Sequence, residues 1–233
     1  MEKLVYIVWK QASADEESFR GQLIGPVATR LRALGAERLK ISVVDDGVRD
    51  GAKLRIGRMD PPKAGLVSFW LEQSQERAAC EAALRDATAK LAGYLVVESR
   101  PIVNTTQRAK SGERTPGFSY VSCIQPRRDL SREEFIRLWY EVQRDMAIET
   151  QSTFSYVRNE VVRALTPSAP PWAAIVEEGF PIGALTDAMV FYDAQGSKER
   201  LAEHQKRMFE GVQQFIALDV IESHPMSEYL FED

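Results

Sequence analysis

The chain repeats itself, and the repeat limits what it can fold into. Phe19 and Phe135 stand about half of the 233 residues apart, and their surroundings follow one pattern. Ahead of each lies a strand-like run, residues 4–10 (LVYIVWK) and 118–125 (FSYVSCIQ), then a polar turn ending in a helix-capping residue, Asp15 or Ser131. Ser131 and Glu134 have the spacing of a capping box. A second strand follows each helix, at 37–44 and 154–165. A third is expected at 64–72 and 186–193. Next comes a helix with one face formed by Cys80, Leu84, Ala87 and Leu91, or by Leu201, Met208, Val212 and Phe215. Fourth strands close the units at 94–103 and 218–225.

The order βαββαβ, given twice, is the split-βαβ or ferredoxin-like arrangement, with antiparallel strands and both helices on one sheet face. The expected fold class is therefore α+β: two ferredoxin-like βαββαβ units packed sheet to sheet as an intrachain α+β barrel. Residues 1–104 form a diverged N-terminal unit and 118–233 a C-terminal one. Residues 105–117 join them, in a stretch with almost no apolar content and several turn formers. Gly25-Pro26 predicts a kink or break in the first helix, because proline removes a backbone donor and clashes with the preceding turn.

The helix over 132–149 (REEFIRLWYEVQRDMAIE) poses a question. Phe135, Leu138, Trp139, Val142 and Met146 share its inward stripe, yet Gln143 sits at the edge of that stripe where leucine would be usual. An amide there needs a hydrogen-bond partner.

The run FSYVSCIQPRRDLSREEFIRLWYEVQRDMA (118–147) resembles the EthD-like proteins of the dimeric α+β barrel superfamily. It shares their strand, their Ser-x-Glu-Glu-Phe helix start and their Phe-x-x-x-Trp-x-x-x-His helix body. FSYVRNEVV (154–162) is similar to the strand that follows. The resemblance implies a barrel of two sheets, a pocket between sheet and helices, and relatives acting on hydrophobic small molecules such as polyketides and aromatic or ether breakdown intermediates. The family's histidine falls at Gln143 here, and at Val27 in the first half. Imidazole exchanges a proton near neutral pH, whereas an amide only holds a hydrogen bond. Proton transfer, if any, must come from elsewhere.

The expected function is binding of a small hydrophobic, aromatic or polyketide-like molecule in the second unit, with cofactor-free cyclase, lyase or isomerase chemistry. Gln143 would hold a carbonyl, with Trp139, Tyr156 and Trp172 as flat walls. His204 or Tyr120 would move a proton. The rival reading is a non-catalytic EthD-like module whose vestigial pocket is filled by side chains. Haem chemistry, as in other dimeric α+β barrels, would need a proximal histidine. His224, beside Pro225, reads as structural or exposed. Residues 167–181 (PSAPPWAAIVEEGFP) read as an insertion that caps the pocket or meets another subunit.

Composition removes other classes. Thirty basic against thirty-four acidic side chains give a net charge of −4 without a long single-sign run, a poor match to nucleic acid. No run approaches the roughly 20 apolar residues of a membrane span, and the N-terminus lacks a secretory signal pattern, so the cytoplasm is expected. Cys80 and Cys123 are then buried thiols. Neither the two histidines nor the cluster Asp45, Asp46 and Asp50 has metal-site spacing. No cofactor is expected. Two units in one chain close a barrel without a partner subunit, and leave a homodimer through another face open.

Overall fold

A computed structural model describes residues 1–231, so the last two residues of the expected C-terminal unit lie outside it. The first half contains β1 (Glu2–Trp9), α1 (Glu16–Gln22), α2 (Ala28–Ala33), β2 (Glu37–Val43), β3 (Gly65–Leu71), α3 (Ala78–Ala87) and β4 (Lys90–Ile102). The second contains β5 (Phe118–Ile124), α4 (Arg132–Thr150), β6 (Ser155–Ala164), β7 (Ala174–Phe180), α5 (Ala188–Phe191), α6 (Lys198–Val212) and β8 (Glu222–Phe231).

The expected caps form. Asp15 accepts a hydrogen bond from the Ser18 backbone N–H at 2.7 Å, and Ser131 and Glu134 bond each other reciprocally as a capping box. At Pro26 the first helix does not stop. It widens into a π-type turn over Leu23–Val27 that accommodates the missing N–H and then continues as α2.

All strand pairs are antiparallel, in the closed order β1-β3-β2-β8-β5-β7-β6-β4. Within the halves this reads β4-β1-β3-β2 and β8-β5-β7-β6. The outer strands pair across the halves, β2 with β8 (Ile41↔Tyr229) and β4 with β6 (Val97↔Glu160). The two sheets thus not only face each other but are one hydrogen-bonded cylinder with no free edge.

Period-2 alternation sorts the side chains. Leu4, Tyr6 and Val8 face α1–α3, in a cluster with Phe19, Leu31, Phe69 and Leu84. Val5, Ile7, Val121 and Cys123 point into the barrel. One part of the interior is ionic. Glu177 of β7 lies 2.7 Å from Lys40 of β2 and 3.8 Å from Lys3 of β1, and Asn159 of β6 donates to Glu177 and accepts from Lys3. Glu98 of β4 also pairs with Lys3. Burial would push the Glu177 carboxyl up, but Lys40 and Lys3 hold it below its ordinary value.

Several boundaries differ from expectation. The third strand of the second half is β7, inside the segment expected to be a capping insertion, while 186–193 carries the short helix α5. The apolar run Ala174–Phe180 contains two adjacent glutamates, which on composition look unsuited to a buried strand. Leu91 belongs to β4, Phe215 follows α6, and the last strand begins at Glu222. Cys80 and Cys123 are free and buried. His224 is buried, not exposed; burial and then the charges of Lys63 and Arg55 lower its pKa to about 3, so it is neutral. Among the described residues no helix is long and apolar enough to cross a membrane.

Removing Glu177 takes the nearest carboxylate from the buried Lys40 and leaves Lys3 with Glu98 alone. Glu177→Ala should cost about 3–5 kcal/mol in urea unfolding. Glu141→Ala, which breaks the exposed pair with Arg137, should stay within about 0.5 kcal/mol. Equal losses in the two variants would contradict the role given to the interior network.

Candidate functional site

Strand register builds the floor of the site. Tyr120 of β5 and Tyr156 of β6 both pair with Glu178 of β7, so the three stand in one row on the sheet's outer face. The next row is Ser122, Val176 and Arg158, and Ser223 of β8 lies beside Ser122 with their hydroxyls 2.7 Å apart. Helix α4 crosses above. Trp139 and Gln143, one turn apart, face down, and the indole N–H of Trp139 donates to the Tyr156 hydroxyl at 2.9 Å. Trp139 stacks on Phe135, and the Arg158 guanidinium lies against the rings of Trp139, Tyr140 and Tyr156.

Helix α6 forms the opposite wall with Met208, Phe209 and Val212, joined by Leu185, Phe191 and Tyr192 from the segment around α5. Where α6 meets α4, the flexible thioether end of Met146 lies against Gly211. The first half contributes Asp50, Lys53 and Leu54 from the turns over Asp46–Leu54. Together these groups enclose a cavity of about 660 Å³, in the usual size range for small-molecule sites.

Glu178 dominates the electrostatics. It is 7 % exposed, and burial raises its carboxyl to about 7, although a hydrogen bond from the Gln143 amide and the charge of Arg158 pull the other way. Gln143 thus lies beside this carboxyl on the cavity floor. Tyr120 and Tyr156 are pushed above the ordinary phenol value by burial and stay protonated at neutral pH. The Tyr120 hydroxyl donates to the Leu54 carbonyl at 2.6 Å. Among the described residues, the buried lining atoms without a partner are Oε1 of Gln143, Oε1 of Gln151 and Oε1 of Glu178. A carboxyl that titrates near neutrality in an apolar cavity, beside an amide and two tyrosines, is equipped to accept and return a proton.

Of the residues singled out from sequence, Tyr120, Trp139, Gln143 and Tyr156 line this one cavity. His204 and Trp172 do not. The His204 Nδ1 lies 2.6 Å from the Tyr192 carbonyl and is engaged there. Trp172 is buried with Val5, Ile7, Val121 and Cys123 in the cluster that fills the barrel. Glu178, Gln151, Ser122 and Ser223 went unnoticed in the sequence. A signal for Glu178 existed: Ala174, Val176, Glu178 and Phe180 share one face of the strand, a carboxyl among apolar neighbours.

No family model matches the sequence, and no curated protein matches it. Solved structures do match in fold. An anthrone oxidase-like protein superimposes with a TM-score of 0.54 at 10 % identity, covering 100 % of this chain and 93 % of that one. A candidate monooxygenase from Lactobacillus acidophilus NCFM gives a TM-score of 0.52 at 9 % identity, covering 99 % and 95 %. At such identities the likeness is one of fold, the α+β barrel. Neither histidine lines the cavity, so its walls do not fit a haem held by a proximal imidazole.

Because the folded-state pKa of Glu178 is raised, protonation favours the folded chain. Its contribution is fully present below about 4.5 and is lost as pH rises towards about 7. Glu178→Gln should therefore gain stability over wild type as pH rises through that window, with a higher Tm at pH 8, by about 2–4 °C per kcal/mol for a chain this size. A pH-independent difference between the two proteins would show that Glu178 does not titrate there.

Proposed function

We propose that this chain is an EthD-like protein made of two ferredoxin-like units, residues 1–104 and 118–233, derived by tandem duplication and joined by 105–117. The shared strand order of the halves supports the duplication. Its function is to bind a small hydrophobic molecule, aromatic or polyketide-like, in the cavity of the second unit, and to carry out proton-transfer chemistry of the cyclase, lyase or isomerase kind without a cofactor. The observation that carries this reading is the cavity of about 660 Å³ with Glu178, raised to about 7, at its floor.

In this mechanism the Glu178 carboxylate takes a proton from a carbon next to a ligand carbonyl. The C–H electron pair moves into the enolate, whose oxygen accepts a hydrogen bond from the Gln143 amide. Return of the proton from Glu178 to a different carbon completes an isomerisation with no net redox change. Trp139 and Tyr156 hold the ring, while Tyr120 fixes the cavity wall through the Leu54 carbonyl. Glu178 thus takes over the proton transfer assigned by resemblance to a histidine at position 143. The rival reading, a vestigial pocket, expects side chains to fill the space beneath Trp139. An open cavity there favours ligand binding.

Deuterium exchange into enolisable aromatic ketones, followed by NMR in deuterated water, tests the proposal. Wild type should accelerate exchange for some members of a panel, Glu178→Gln should lose about 100-fold or more, and His204→Ala should match wild type. An undiminished rate in Glu178→Gln, or no exchange with any member, would refute it.

A further inference from the structure

The barrel has a second hollow, away from helix α4. At the end where β1 and β2 begin and β4 and β8 finish lies a cavity of about 670 Å³, with Lys3 and Lys40 in its lining. Its deeper charges are balanced. Lys3 and Arg100 both pair with Glu98, and Lys40 lies between Glu177 and Glu228. The guanidinium groups nearer solvent are not. Among the described residues Arg38 has no carboxylate within ion-pair distance and lies 5.5 Å from the centre of the Trp70 ring. Arg108 has no such carboxylate either, and Arg100 gives only its Nε to Glu98, at 2.6 Å. Glu37, the remaining carboxylate of the lining, is exposed.

Two irregularities of the sheet bring these groups to one rim. Strand β2 shifts register against β3 between Glu37 and Lys40, and Arg38 in that gap has a φ of 47°, a left-handed conformation that is costly for a residue with a side chain. Elsewhere around the rim β4 shifts against β6 between Ser99 and Ile102, with Arg100 in the gap. Bulges at barrel rims re-aim side chains. Arg108 comes from the joining segment, just after a turn in which the Asn104 side chain accepts from the Gln107 N–H at 2.9 Å and donates to the Gln107 carbonyl at 2.8 Å. Three arginines from three separate segments thus border one cavity, beside the apolar surfaces of Trp70, Val157 and Leu230.

A guanidinium fork matches the paired oxygens of a carboxylate or phosphate, and an indole face matches a planar or apolar body. A neutral molecule would use the second and leave the first to water. We infer that this end of the barrel is a second ligand site. It takes a small organic molecule by its oxyanion, carboxylate or phosphate, on Arg38, Arg100 and Arg108, with the rest of the molecule against Trp70. The site is separate from the cavity under α4 and does not depend on the chemistry proposed there.

Titration at low salt with phenyl phosphate, benzoate and the neutral benzamide, followed by ligand-observed NMR, tests the inference. At least one of the two anions should bind wild type about tenfold or more tightly than benzamide does, and the tighter of the two names the oxyanion. Added salt should weaken the anions and leave benzamide unchanged. Glycine suits the φ of 47°, so Arg38→Gly should keep the Tm of wild type or exceed it, and Arg108→Gln removes no ion pair among the described residues. Each variant should fold, and each should weaken the anion about tenfold, the worth of one charge-assisted hydrogen bond. No binding of either anion, a benzamide affinity equal to theirs, or anion binding that survives both substitutions would overturn the inference.

Discussion

Inside the barrel, one carboxylate holds two lysines that come from the other half of the chain. Glu177 on β7 faces Lys3 on β1 and Lys40 on β2, with Asn159 bonded between. With Glu98 of β4 on Lys3, these buried charges in a low-dielectric interior are tolerable only together. Their pairing therefore fixes which face of β7 points inward. In a strand the next residue must then point outward. Glu178 arrives in the cavity because Glu177 is held in the barrel, and a one-residue slip would exchange a paired carboxylate for an unpaired one. Edge pairing of β2 with β8 and β4 with β6 completes the enclosure. Without it the two sheets would not meet across the lysines.

Two neighbouring glutamates thus solve the problem of burial in different ways. Glu177 keeps its charge because cations surround it, and its carboxyl is held low. Glu178 has the Gln143 amide and the more distant influence of Arg158, so burial wins and the carboxyl rises to about 7. The position at which the EthD-like resemblance implies a histidine is filled by an amide, and a carboxyl with a pKa near that of imidazole stands opposite it. In the proposed mechanism the proton transfer accordingly falls to this strand carboxyl and not to the helix residue.

This division also explains what could be read from the sequence. Caps at Asp15 and Ser131, the stripe of α4 and seven of the eight strands follow from local patterns, because periodicity and turn chemistry act within a few residues. The eighth strand, β7, hides because the groups that meet its carboxyls lie far away in the chain, Lys3 and Lys40 around Glu177 and Gln143 beside Glu178. Gln143 stood out as an anomaly on its helix, and its explanation required the strand that was missed. His204 lay at a plausible spacing, but α6 is only half-buried along that stripe and the imidazole turns to the Tyr192 carbonyl. Trp172, expected as a flat wall of the cavity, packs with Val5, Ile7, Val121 and Cys123 instead.

The protonation of Glu178 is the quantity on which the account turns, and infrared spectroscopy reads it without a ligand. With glutamate carboxyls isotopically labelled, the difference between wild type and Glu178→Gln isolates one carboxyl C=O stretch. That band should persist above the ordinary glutamate range and disappear with a midpoint near pH 7. A midpoint at the ordinary value of about 4.5 would show an ionised, ordinary carboxylate and contradict the account.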